Sequence, residues 1–136
     1  RTIRRSRTKQ GVEAIKPAAD TVLMVDTTGE LSSMYYCADI VIVGKSFAPN
    51  VGGQNMIEPA AIGKPVIVGP HTENFVPVMN SFNANNAIKV LSDISELEGE
   101  LRELIASTEK REAAKAVVDS QRGSLERSAI EIIAKL

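Results

Sequence analysis

Four short apolar runs constrain this chain more than any other feature: VLMV (22–25), IVIV (40–43), VIV (66–68) and AIKVL (87–91). They are rich in β-branched residues and mostly continuous rather than alternating. Strands covered on both faces have that pattern, as in a parallel sheet. The intervals between them carry helical periodicity. Leu31, Met34, Tyr35 and Ala38 recur at i, i+3, i+4 and i+7, behind a Thr27-x-x-Glu30 capping-box pattern. Ile57, Ala61 and Ile62 supply a face for a second helix, and a third is expected over about 74–83. Leu97, Leu101, Leu104 and Ile105 form one C-terminal stripe. Beyond Gly123 and Ser124, Leu125, Ala129, Ile132, Ile133 and Leu136 form another. The order is β-α-β-α-β with a helical C-terminus, an α/β fold built as an open parallel sheet with flanking helices and right-handed crossovers.

The length of 136 residues suits one domain over 1–136. A net charge of −1 favours neither nucleic acid nor a membrane surface as partner. The local exception is RTIRRSRTK (1–9), read as a solvated basic end rather than a contact with an anionic surface. A single cysteine, Cys37, rules out an internal disulfide and is expected to be an inert core thiol. No apolar run reaches the length of a membrane span, and no signal-peptide pattern is present. The chain also lacks an initiator Met, so it is expected to be a fragment of a larger protein.

In open α/β sheets, ligands bind beyond the carboxyl ends of the strands. Here those ends read DTTGE (26–30), GKSFAPNVGGQN (44–55) and GPHTENF (69–75), each with glycine beside hydrogen-bonding side chains. The opposite connection IGKP (62–65) has no such character. In the central loop, Gly52 and Gly53 permit positive φ and a close backbone approach to a ligand. The start of the following helix suits phosphate or carboxylate. It is neither a Walker loop nor the G-x-G-x-x-G fingerprint. Asn55 followed by Glu58 is equally a variant capping box worth about 1 kcal/mol. Pro59 makes the first turn less regular, and Glu58 has a second possible role as acceptor for two ribose hydroxyls. Local physics leaves these readings of Glu58 side by side.

The blocks D-T-x-G-E-L, Y-x-x-A-D, G-G-x-N-x-x-E and G-x-P-V-x-x-G-P-H-x-x-N-F occur in that order between about 25 and 75. Together they resemble the C-terminal half of bacterial 3-deoxy-D-manno-octulosonic acid (Kdo) transferases. Weaker similarity continues into the C-terminal helices, and RTIRRSR is similar to the family's second donor-domain strand. Any one block is weak; four in register are specific.

The resemblance implies a GT-B glycosyltransferase, in which two Rossmann-like domains face each other across a cleft. The C-terminal domain takes CMP-Kdo; the N-terminal one holds the lipid A precursor and the catalytic base. Carried over by position, Gly29, Glu30 and Leu31 lie near the nucleotide. Ser46, Gly52, Gly53 and Asn55 form the loop and helix start near the phosphate, and Glu58 binds the ribose. His71 and Asn74 line the cleft, the alternative for His71 being a loop-ordering role held by Asn74 or backbone. Two positions depart from the pattern. Lys45 replaces a frequent glycine, so its ammonium either reaches a phosphate or the Kdo carboxylate or points to solvent. Gln54 replaces a frequent histidine.

No metal or other cofactor is implied, because backbone N–H groups, helix dipole and basic side chains stabilise a departing phosphate. The donor domain's first strand and helix, and the base, are expected to lie outside this chain, so these residues alone are expected not to transfer sugar. The whole enzyme is expected at the cytoplasmic face of the bacterial inner membrane, the fragment itself being soluble. An unpaired sheet edge would favour a homo-oligomer. Two alternatives stay open: a GT-B enzyme using a UDP-sugar, and a non-enzymatic α/β module. A receiver-type module needs an acidic pair upstream to accompany Asp26, and the sequence shows none.

Overall fold

The computed structural model describes residues 1–8, 19–106 and 109–122. They fall into two compact units, 1–34 and 35–136.

In the first unit, β1 (Thr2–Arg4) pairs in parallel with β2 (Val22–Met24), placing Ile3 opposite Leu23. Both strands alternate, with the central residue the better covered and Val22 and Met24 exposed. The continuous run 22–25 predicted cover on both faces; in the described residues β2 has it on one. In the basic stretch Arg1, Arg4 and Arg7 are exposed, as a solvated end requires, whereas Arg5 is tied in. Arg5 Nη2 donates to Glu30 Oε1 at 2.7 Å and Nη1 to the Thr8 hydroxyl at 3.1 Å. The Ser6 N–H and hydroxyl both donate to the Asp26 carboxylate, at 2.9 and 2.8 Å. Such charge-assisted hydrogen bonds are shorter and stronger than neutral ones, and at a partly exposed site their net gain is modest.

Helix α1 (Leu31–Cys37) runs across the division between the units. It buries no residue fully, and Cys37 is exposed. The core-thiol expectation is therefore corrected. Cys37 lies off the Met34, Tyr35 and Ala38 side of the helix, and those three are the partly covered residues. Leu31, expected on the same stripe, is also exposed.

The second unit is built on β3 (Val41–Val43), β4 (Val66–Val68) and β5 (Lys89–Val90), all parallel in the order β3-β4-β5. Central β4 is buried along its whole length, as a continuous apolar run requires. On edge strand β3, Ile42 is 41% exposed.

Successive side chains on β4 point to opposite faces and found two cores. Val66 and Val68, with Val43, pack with Met56 just before α2 (Ile57–Ala61) and Ala60 within it, Met79 and Phe82 of α3 (Val76–Ala84), and Ala114, Val117 and Val118 of α5 (Glu109–Arg122). Ile67 points the other way, into Phe47, Leu91 and Leu104, covered by Leu97 and Leu101 of α4 (Leu97–Ala106). Helices thus cover the three-stranded sheet on both faces.

The C-terminal stripe is corrected in one residue, since Leu104 is buried whereas Ile105 is 69% exposed. A rotation of about 100° per residue lets only one of two adjacent leucine-like residues face the sheet. The sequence reading did not single out α5, although Ala113, Ala114, Val117 and Val118 have the spacing of an apolar face. The stripe at 125–136 lies outside the described residues.

Candidate functional site

Parallel strands bring their following loops to one edge of the sheet. In the second unit these are the loops after β3 (44–56), after β4 (69–75) and after β5 (91–96). The first two are fastened together at several points.

Ser46 forms the first tie. A short 3-10 turn, Gly44–Ser46, carries the chain out of β3 and turns the Ser46 side chain inward, where it is wholly buried. Its hydroxyl donates to the Val43 carbonyl and accepts the Gly69 N–H at 2.7 Å, while its carbonyl accepts the His71 N–H at 3.0 Å. The approach is close enough that a β-carbon on Gly69 would lie 2.3 Å from the Ser46 carbonyl oxygen. Ser46 therefore joins two loops internally, with its hydroxyl proton already committed.

Gly52 forms the second tie. It has φ of +86° and is buried, with the Asn74 side-chain amide 2.5 Å from where a β-carbon would stand. Its carbonyl accepts the Asn74 N–H at 3.2 Å, and its N–H donates to Glu73 Oε2 at 2.6 Å. Gly53 has φ of +74° and backs onto the His71 carbonyl. Both glycines thus have the positive φ and close backbone approach that their sequence context suggested, here toward the neighbouring loop.

Glu73 is a residue the sequence reading passed over, its only signal being a place in a strand-end loop. Its other oxygen, Oε1, lies 3.3 Å from His71 Nδ1. The carboxyl is held below its ordinary range, first by its own backbone N–H, then by that of Gly52, with His71 contributing less. His71 serves the loop through its backbone and still faces outward in part. With Phe47, Ala48, Pro70, Ser92, Asp93 and Ile94 it lines a hollow of about 160 Å³ at the ends of the three strands.

Asn55 and Glu58 act as a pair. Asn55 Oδ1 accepts the Ile57 N–H at 2.9 Å, satisfying an early donor of α2, and its Nδ2 donates to Glu58 Oε1 at 2.7 Å. The capping pattern is therefore realised by Asn55, with Glu58 linked to it side chain to side chain. Glu58 remains exposed, and its charge, after burial, helps push the Tyr35 phenol upward. Helix α2 has only five residues, so its dipole is small. The cation at this edge is Lys45, exposed at the end of β3, while the Gly52 N–H is engaged by Glu73.

Gly29, Glu30 and Leu31 belong to the first unit. Gly29 has φ of +86° with open space around it. Glu30 is held by Arg5 and by the Thr27 hydroxyl, which is the main cause lowering its carboxyl, with Arg5 second among the favourable contacts. Leu31 is exposed. Among the described residues, no group of three or more His, Cys, Asp and Glu gathers to hold a metal ion, and no helix is long and apolar enough to cross a membrane.

No family model matches the chain. It is similar to a protein of Bordetella pertussis named 3-deoxy-D-manno-octulosonic acid transferase, 61% identical over 54 residues, covering 40% of this chain and 12% of that protein. A protein of the same name from Haemophilus influenzae is 37% identical over 111 residues, covering 78% of this chain and 26% of that one. The chain thus spans about a quarter or less of the curated relatives it matches. A solved structure described as the C-terminal CMP-Kdo binding domain of WaaA from Acinetobacter baumannii superposes with a TM-score of 0.70 at 29% identity. That match covers 88% of this chain and 59% of the solved one, and it matches the α/β architecture with parallel strands.

Proposed function

The chain belongs to the 3-deoxy-D-manno-octulosonic acid transferase family, and from that premise we propose that it supplies the donor-binding part of an enzyme transferring Kdo from CMP-Kdo. One observation supports this reading above the rest. The glycine loop after β3 and the GPHTENF loop after β4 are fastened to each other at the sheet edge where open α/β sheets bind ligands, and Glu58 stands on the helix that follows.

In the proposed complex, the phosphate of the donor lies against the Gly52–Gly53 backbone, with Lys45 supplying a cation. Glu58, already oriented by Asn55, accepts the ribose hydroxyls. His71 and Asn74 border the sugar side. Gly29, Glu30 and Leu31 are assigned to the nucleotide on the family pattern. Charge builds on the phosphate as the glycosidic bond breaks, and fixed N–H dipoles stabilise that charge without reorganising. The acceptor hydroxyl is a lipid A precursor's, and the base that deprotonates it comes from another part of a two-domain GT-B enzyme at the cytoplasmic face of the inner membrane.

The test is calorimetric titration of the chain with CMP and with UMP, repeated with Glu58→Ala. CMP is expected to bind in preference to UMP, and Glu58→Ala to weaken it by roughly tenfold, as loss of a charged hydrogen-bond acceptor does. Unaltered CMP binding in the variant removes Glu58 from the ribose. A preference for UMP transfers the reading to a GT-B enzyme with a uridine donor.

A further inference from the structure

Glu73 occupies one of the positions that the motif G-P-H-x-x-N-F leaves open, yet it makes the shortest contact to the glycine loop. Its Oε2 accepts the Gly52 N–H at 2.6 Å. The Gly52 carbonyl is taken by Asn74, the space beside its α-carbon is filled by the Asn74 amide, and its N–H is committed to the Glu73 carboxylate. A carboxylate oxygen and a phosphate oxygen are equivalent acceptors for a backbone N–H, and at hydrogen-bonding distance a linear N–H serves one of them. The Glu73 side chain is 58% exposed, so it can withdraw into water. His71, 3.3 Å from its other oxygen, remains as the partner it would keep or release on withdrawing.

We propose that Glu73 is a specificity-determining residue that occupies the phosphate position at Gly52, so that an anion binds there only by displacing the carboxylate. This rests on the reading that the Gly52–Gly53 loop takes the donor's phosphate. A small anion brings only its contacts to the Gly52–Gly53 backbone and Lys45, whereas a nucleotide adds ribose and base contacts to offset the displacement. The residue thereby sets a threshold that inorganic phosphate fails and the nucleotide passes.

The experiment follows the Gly52 amide resonance of the isotopically labelled chain during titration with inorganic phosphate and, separately, with CMP. It compares the native sequence with Glu73→Ala, Glu73→Gln and Glu73→Asp. The ligand-free spectra verify the fold of each variant, and Glu73→Gln keeps the side-chain volume should the alanine variant unfold. Glu73→Ala and Glu73→Gln are expected to tighten phosphate binding by roughly tenfold, the range for a charge-assisted hydrogen bond discounted for exposure. Glu73→Asp keeps the charge but retracts the carboxylate by one methylene, and it is expected to show most of that gain. Phosphate affinity that is unchanged or weaker in Glu73→Ala and Glu73→Gln overturns the proposal, as does a Gly52 resonance unresponsive to phosphate in both. An aspartate variant indistinguishable from the native chain overturns it too, since the effect is then general repulsion and not occupancy. If phosphate tightens as expected while CMP binds to no form, the cytidine reading fails and with it the selection for a nucleotide, while the occupancy of the Gly52 N–H by Glu73 stands.

Discussion

The Ser46 hydroxyl accepts the Gly69 N–H at 2.7 Å inside the sheet edge, joining the loop after β3 to the loop after β4. Both residues are buried, so neither group has water to fall back on. Ser46→Ala leaves the Gly69 N–H unsatisfied and is expected to cost about 1–3 kcal/mol. Gly69→Ala is expected to cost at least as much, because its β-carbon would stand 2.3 Å from the Ser46 carbonyl oxygen. Urea unfolding of the two variants checks both; a midpoint unchanged in Ser46→Ala would remove the structural role given to the hydroxyl.

At Gly52 the cost has two sources. A β-substituted residue at φ of +86° is strained by about 1–2 kcal/mol, and the added carbon meets the Asn74 amide at 2.5 Å. Gly52→Ala is therefore expected to lower stability by about 1–3 kcal/mol and to displace Asn74. Pairing it with Asn74→Ala clears the clash but not the φ strain, so the double variant should recover part of the loss and not the whole. A thermal-unfolding series over the single and double variants separates the two sources; complete recovery would show that the backbone is unstrained.

Acid should loosen the first unit. Asp26 is held below its ordinary carboxyl range, chiefly by the Ser6 N–H and next by the Ser6 hydroxyl, with Arg4 contributing less. A carboxyl depressed in the folded state stabilises it above the unfolded value and loses that contribution as pH falls through the folded one. Asp26→Asn should be less stable than the native chain near neutrality, with the difference shrinking as pH falls below the ordinary carboxyl range and through the depressed folded value. Unfolding midpoints measured from pH 7 to pH 2 supply the comparison, and curves that stay parallel throughout would contradict it.

Adjacent positions on α4 should respond oppositely to substitution. Leu104→Ala empties a site against Ile67, Phe47 and Leu91 and is expected to cost about 2–5 kcal/mol. Ile105→Ser acts on an exposed residue and should fall within about 0.5 kcal/mol of neutral. Equal effects in denaturant titrations would mean that the helix faces the sheet differently.

The strands were legible because local chemistry determines them. The runs at 40–43 and 66–68 contain β3 and β4 almost residue for residue, and the β-branched, continuous character of 66–68 correctly anticipates a strand buried throughout. Strand-end glycines likewise marked where the loops would meet. What periodicity could not resolve was the phase of an apolar stripe where two candidates adjoin, as at Leu104 and Ile105, or how fully a seven-residue helix such as α1 would be covered. The ties between loops were less legible still. Nothing local in Ser46 or Glu73 distinguishes a side chain that will bridge two distant segments from one that faces water. Those contacts span 23 and 21 residues along the chain and exist only once the sheet has formed.

The fastening of the two loops also bears on the entropy of binding. Ordering a backbone residue costs about 1–2 kcal/mol, a cost that a flexible loop would defer until a ligand arrived and subtract from its affinity. Here Ser46 with Gly69, Ser46 with His71 and Gly52 with Asn74 settle it during folding. A ligand at this edge meets a backbone already in one arrangement, so what its contacts there must still offset is the displacement of the Glu73 carboxylate and not the ordering of the loops.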